Sequence, residues 1–301
     1  MVGLLAINKP PGPTSHDVVE LVRRKVGGLK AGHAGTLDPQ ASGVLLVLLD
    51  QATKLAPLFI GLAKKYRATF RLGLATDTND IWGKVLSVVP VPVLNDKEIE
   101  KLLSSFVGTI KQRVPAFSAV KSEGKPLYKK ARKGEVFETP EKDVTFYSIQ
   151  LLGWKSPDVE LEVACSSGAY IRALARDFGE KAGCGAVMSA LMRTEVGPVT
   201  LEKGVSLDEL DPLNWREHLL YPQDILGVPV LRLLTEPARV RDGKPLFFAD
   251  FDGLYDLGKG QTVFVKNGSE NILAWGKLSE SAEFLKKNPA QPAFVYGRVL
   301  V

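Results

Sequence analysis

Along the first third of the chain the spacing of apolar positions changes several times, and each change marks an element. Val18, Val19, Val22 and Val26 recur at helical spacing behind Thr14 and Ser15, either of which can cap, so a helix is predicted over residues 14–26. Residues 43–49 form an unbroken apolar run, the pattern of a strand buried on both faces. Over residues 66–74 the pattern alternates. Tyr66, Ala68, Phe70 and Leu72 face one way and Arg67, Thr69 and Arg71 the other, which predicts a half-exposed strand with a basic outer face. Ile99, Leu102, Leu103 and Phe106 then return to helical spacing behind Asn95 and Asp96, giving a helix over 96–106.

Further on, residues 144–152 and 159–165 read as two strands around the turn Lys155-Ser156-Pro157-Asp158, and 169–181 as a helix. Strands and helices alternate irregularly and several strand pairs lie close in sequence. The fold class expected is therefore α+β, with a mixed, largely antiparallel central sheet flanked by helices rather than a parallel βαβ array. After about residue 225 short β-like runs dominate, at 228–234, 262–266, 272–276 and 294–301, separated by glycine and proline turns. A small C-terminal β-barrel or sandwich is the natural reading. A length of 301 residues agrees with two domains.

Composition narrows the class. Hydrophobic residues make up 45% and charged residues 24%, which excludes wholesale disorder. The longest uncharged apolar stretch, near residues 39–49, is far short of the ~20 residues that cross a bilayer. The opening Met1-Val2-Gly3-Leu4-Leu5 has no basic region before it, so no signal peptide and a cytoplasmic location are expected. Cys165 and Cys184 cannot build a disulfide framework, and His16, His33 and His218 show no ligand spacing, so no metal is expected. The net charge is only +5, yet residues 111–133 hold eight basic side chains, among them Lys129, Lys130, Arg132 and Lys133, against the single acid Glu123. A solvated helix face would account for the charge alone. With Phe117 and Tyr128 interleaved, the patch also suits a polyanion backbone.

The most informative stretch is Gly32-His33-Ala34-Gly35-Thr36-Leu37-Asp38-Pro39-Gln40-Ala41-Ser42-Gly43, a tight loop that carries Asp38 to the edge of a buried strand. Taken alone, Asp38 reads as a turn cap. A second stretch, Cys165-Ser166-Ser167-Gly168-Ala169-Tyr170-Ile171-Arg172, joins a strand to a helix and puts Tyr170 and Arg172 in the first turn. A third, running from Arg71 to Asp80, carries Asp77 and Asp80; nothing near them completes a metal loop.

Together these stretches resemble the TruB family of tRNA pseudouridine synthases. The likeness also covers Gly3–Gly12, Lys64–Gly83, Val114–Gly134, the Glu180-Lys181-Ala182-Gly183-Cys184-Gly185 run and Leu191–Arg193, in family order through nearly the first 200 residues. It implies a pseudouridine synthase fold over residues 1–225, with a basic thumb insertion at about 111–142, and a PUA-like RNA-binding domain over 226–301. It implies an isomerase that flips the uridine at position 55 out of the tRNA T stem-loop and rejoins the base to its sugar through carbon, with no cofactor; the alternative is a module that binds or helps fold tRNA, with catalysis secondary. Guide-RNA-dependent relatives would need partner-binding extensions. The chain opens directly on its first strand and has no long basic tail, so action as a standalone monomer is expected.

By the same resemblance, Asp38 is the catalytic aspartate, which can attack the base at C6 or the sugar at C1′, or assist deprotonation. Arg172 is the arginine paired with it and Asp80 an acidic partner of that arginine. Tyr66 is the aromatic on which the target base stacks, a contact worth roughly 1–3 kcal/mol. Tyr170 contacts the flipped nucleotide, Leu191 packs under the base, and His33 enters the space the base leaves. Lys9, in Asn8-Lys9-Pro10-Pro11-Gly12, supports the catalytic loop from the N-terminal element.

Overall fold

The computed structural model describes residues 2–300 apart from 119, 123, 136, 253 and 269–271, and leaves out the side chains of Lys121 and Ser122. The valine helix runs over Ser15–Lys25. Thr14 caps it by accepting from the Asp17 amide, and the Asp17 carboxylate returns the contact to the Thr14 N–H at 2.8 Å. Asn95 and Glu98 repeat that box at the start of the Asp96–Ser104 helix. The third expected helix begins at Ile171, two residues later than its pattern suggested, with Tyr170 as the capping position.

These helices lie on a mixed sheet. Its main path runs Val205–Ser206, Val2–Lys9, Ser42–Asp50, Ala186–Val196, Lys64–Leu72, Asp158–Cys165, Glu141–Lys155, Gly108–Arg113. Only the Val205–Ser206/Val2–Lys9 and Ser42–Asp50/Ala186–Val196 neighbours on this path are parallel. The expected α+β class with a largely antiparallel sheet is what the chain forms. Leu5, Ile7, Leu45, Val47 and Phe70 face the helices, packing with Val18, Val22, Leu174 and Phe178. Leu4, Ala6, Leu46 and Leu48 point the other way, onto Phe59, Ile225, Phe264 and Ile272. The Ser42–Asp50 strand is covered on both faces, which is why its sequence shows no alternation.

The C-terminal runs form a second sheet in the order Phe251–Asp252, Val230–Leu233, Thr262–Lys266, Ile272–Leu278, Phe294–Val299. It curls: Phe251 on one edge strand and Phe294 on the other have ring centroids 6.3 Å apart. Val301, the expected end of the last strand, lies outside the described residues.

The Lys64–Leu72 strand alternates as its pattern requires, with Tyr66, Ala68, Phe70 and Leu72 buried. It ends at Leu72, two residues short of the expected end. Its outer face is not the basic stripe that the sequence suggested. Arg71 forks onto Asp158 at 2.8 and 2.9 Å, and Lys65 lies 3.0 Å from Glu195 and 3.9 Å from Glu162. Neighbouring strands supply the acids, and that pairing was invisible along one strand.

Where the Ser42–Asp50 and Ala186–Val196 strands meet, Gly43 has φ +103° and a Cβ there would sit 2.1 Å from the Arg193 carbonyl oxygen. Gly12 has a similar φ of +112° but open space around it. Gly12→Ala should therefore cost only the backbone strain, about 1–2 kcal/mol. Gly43→Ala should cost distinctly more, because strand backbone must move. Urea denaturation of the two variants checks this; equal losses would mean the close approach at Gly43 does not matter.

Candidate active site

The Gly32–Gly43 loop leaves the short Ala31–His33 strand and returns as Ser42–Asp50. The fold holds it at several backbone points. The Ser15 hydroxyl accepts from the Leu37 N–H at 2.8 Å and donates to the Leu37 carbonyl at 3.0 Å. Lys9, 1% exposed, donates from Nζ to the carbonyls of Pro10, Pro39 and Ala41 at 3.0, 2.9 and 2.7 Å. Arg193, equally buried, donates to the carbonyls of Val44, Gly35 and Thr36. Two buried cations thus satisfy carbonyls that a glycine-rich loop cannot pair with itself. Lys9 also sets positive charge near Asp38.

Asp38 meets Arg172 across this loop. Arg172 Nε donates to Oδ2 at 2.8 Å and Nη2 to Oδ1 at 3.2 Å, a two-pronged contact. The two side chains differ in exposure: 7% for Arg172 and 32% for Asp38. The cation is sealed in while the carboxylate keeps an open side. Arg172 also donates from Nη1 to the Thr78 carbonyl at 2.9 Å and from Nη2 to the Phe117 carbonyl at 3.1 Å. Asp80 lies 3.9 Å from Nη1, so it neighbours the guanidinium without hydrogen-bonding it. Its own oxygens accept from Gln40 Nε2 and Thr78 Oγ1, and from the Trp82 N–H.

The Ile171–Lys181 helix carries Arg172 in its first turn. Tyr170, just before the helix, is clamped by a buried amide. Its N–H donates to Gln112 Oε1 at 2.8 Å and its carbonyl accepts from Gln112 Nε2 at 3.1 Å. Burial raises the pKa of the Tyr170 phenol, and likewise that of Tyr66, where Arg193 opposes it. Tyr66 stands on the central sheet opposite Arg193 and Val163, and Leu191 two residues along, opposite Ala68. Leu191 is half-buried against the core that Tyr66 joins.

His33 is half-buried, with Nδ1 buried and unpartnered. Burial, and then Arg193, lowers its pKa, so the imidazole is neutral at neutral pH. The basic segment leaves the sheet after Arg113 and returns opposite it at Glu141. Within it the Leu127–Arg132 helix exposes Lys129 and Arg132, Lys133 follows, also exposed, and Lys130 is half-buried. Arg132 lies over the Tyr128 ring at 5.7 Å.

Sequence reasoning gave no role to Gln112, Gln40 or Arg193. An arginine directly after the apolar run Ala190–Met192 was a usable signal for the last. Nothing in the spacing marked the two glutamines. No cluster of His, Cys, Asp or Glu able to hold a metal occurs among the described residues. No helix among them is long and apolar enough to cross a membrane.

Residues 23–171 match the model of the TruB family pseudouridylate synthase N-terminal domain, and residues 172–234 that of the tRNA pseudouridylate synthase B C-terminal domain. The chain is 45% identical to tRNA pseudouridine synthase B of Alkaliphilus oremlandii over 224 residues, 74% of this chain and 75% of that one. It is 39% identical to the protein of that name from Burkholderia mallei over 283 residues, 92% and 93% of the two chains. Among solved structures it is similar to a chain of the Cbf5–Nop10–Gar1 complex, with TM-score 0.73 and 27% identity, covering 99% of this chain and 85% of that one. It is also similar, with TM-score 0.72 and 25% identity over 99% and 85% of the chains, to one in an H/ACA RNP bound to a substrate RNA containing 2′-deoxyuridine.

Burial, partly opposed by the Asp38 carboxylate, lowers the Lys9 pKa from 10.5 to about 8. The unfolded chain then holds that proton more tightly than the folded one. Raising the pH from about 8 towards about 10 removes a cost that only the folded state carries, so the Lys9 contribution to stability rises across that window. Lys64 is lowered to a similar value and is present in both parent and variant. The stability difference between parent and Lys9→Met, from urea denaturation, should therefore move in the parent's favour as pH rises. A difference independent of pH would show that the ammonium is not desolvated.

Proposed function

From its membership of the TruB family of pseudouridine synthases, which this chain belongs to, we propose that it converts uridine 55 in the tRNA T stem-loop to pseudouridine. The observation that carries the site assignment is the fork of Arg172 on Asp38. Isomerisation breaks the C1′–N1 bond, turns the base and forms a C5–C1′ bond, while C5 loses a proton and N1 gains one. Nothing is oxidised and no group leaves the molecule, so the chemistry calls for no cofactor.

Asp38 serves as the nucleophile. Its role needs an ionised carboxylate at one fixed angle, and a guanidinium grips it from the buried side while leaving the other side to the substrate. Asp80 steadies the same cation from 3.9 Å and is itself fixed by three donors. Tyr66 gives the flipped base a stacking face, Tyr170 a contact on the nucleotide and Leu191 an apolar floor. A uridine inside a folded loop is out of reach until extruded. His33, neutral and with an unpartnered nitrogen, fills the space it leaves. Lys9 acts through the loop, since its ammonium donates to three carbonyls.

The basic segment holds the tRNA. Lys129, Lys130, Arg132 and Lys133 stand on it, and its root touches Arg172 at the Phe117 carbonyl. The second sheet, within the PUA-like region over residues 226–301, adds Arg232, Lys277 and Arg298 to the exposed surface. We assign the protein as a monomer that needs no protein partner and acts in the cytoplasm, where tRNA is.

Incubation with unmodified tRNA, followed by mapping of pseudouridine positions, tests this. The parent should modify position 55, and Asp38→Asn should leave the map empty while tRNA affinity stays within about tenfold, ~1.4 kcal/mol. Turnover by the asparagine variant would remove Asp38 from the nucleophile role. An unmodified map with the parent would overturn the function itself.

A further inference from the structure

Gln112 stands on the Gly108–Arg113 strand, the last strand before the basic segment, paired with Lys142 of the Glu141–Lys155 strand. It is 1% exposed, on a short edge strand whose other residues are mostly half-buried or exposed. Its amide oxygen accepts from the Tyr170 N–H and its amide nitrogen donates to the Tyr170 carbonyl, at 2.8 and 3.1 Å. Both ends of one side chain thus hold both backbone groups of one residue, 58 positions away in sequence. That residue is the capping position of the Ile171–Lys181 helix, and it lacks a side-chain cap of its own. One N–H that the helix cannot satisfy internally is therefore met by a distant amide.

Two residues on, Arg172 places its fork on Asp38. It also touches the basic segment, since Nη2 donates to the Phe117 carbonyl five residues beyond Gln112, and Arg176 Nη2 donates to the Arg113 carbonyl at 3.3 Å. The start of the catalytic helix and the root of the basic segment are thus joined through Gln112, Arg172 and Arg176, and through the Tyr170 side chain at Ser118. The Gln112 clamp holds the two peptide groups that flank one residue, so it sets the direction of the helix start as well as its position.

We infer that Gln112 is a positioning residue for the isomerisation: it aims Tyr170 and Arg172 at Asp38 and the flipped uridine, and makes the root of the RNA-holding segment and the catalytic arginine one unit. The inference rests on the reading of the site as a pseudouridine synthase. A side chain that only stabilised the fold would lower the melting temperature without changing the chemical step of molecules that remain folded.

The test uses the full-length protein, well below its melting transition, in single-turnover reactions with saturating unmodified tRNA. Gln112→Met keeps the length and loses both hydrogen bonds. Gln112→Glu keeps the shape and the acceptor for the Tyr170 N–H, and its carboxylate loses the donor. Both should lower the rate about ten- to a hundredfold, with tRNA affinity within about threefold of the parent. Adding Gln112→Met to Arg172→Lys should cost much less than it costs the parent, because the clamp acts through the arginine that is already impaired. Rates within about twofold of the parent for both variants would overturn the inference. So would a loss confined to affinity, or full multiplication of the Gln112 and Arg172 effects. A parent that forms no pseudouridine at all would instead overturn the function reading, which separates the two failures.

Discussion

The site depends on a guanidinium held out of water. A buried cation without partners costs several kcal/mol, and the chain meets that cost by bringing three segments to Arg172. The Asp38 loop supplies a carboxylate, the segment before Asp80 supplies the Thr78 carbonyl, the root of the basic segment supplies the Phe117 carbonyl, and Asp80 adds a second negative charge nearby. The result is a carboxylate held at one angle from its buried side, with its other side open. A lysine could neutralise Asp38, but its point charge cannot also direct donors to two carbonyls in one plane.

The loop that carries Asp38 is held by the same means. Lys9 and Arg193, both buried, reach its carbonyls, and Gly43 lets the Arg193 strand approach its returning arm. Arg172 grips the Asp38 carboxylate and Lys9 adds positive charge near it. The excess of positive charge drawn to the loop serves its rigidity as well as its electrostatics.

Much of the frame was legible along the chain because local chemistry dictated it. The four valines and the Thr14–Asp17 box specify a helix wherever it packs, and an apolar run such as Ser42–Asp50 specifies a strand covered on both faces. What was not legible came from neighbours distant in sequence. The Arg67, Thr69 and Arg71 face read as basic until strands carrying Asp158, Glu162 and Glu195 came to lie beside it. At the site, the residue types and their family resemblance pointed to Asp38, Asp80 and Arg172. Their geometry did not follow from that: the arginine hydrogen-bonds one carboxylate and two backbone carbonyls, and only neighbours the other. Gln40 and Gln112 carried no sequence signal, because a buried glutamine and a surface glutamine look alike until their partners are known.

If the fork, rather than positive charge alone, holds Asp38 ready, then charge-conserving replacement of the arginine tests the account most directly. The measurement is the single-turnover rate of pseudouridine formation by Arg172→Lys at saturating tRNA, with affinity measured alongside. The account predicts a loss of at least about a hundredfold in rate, with affinity within about tenfold of the parent. A lysine variant within about fivefold of the parent's rate would contradict it, because charge without the planar fork would then suffice.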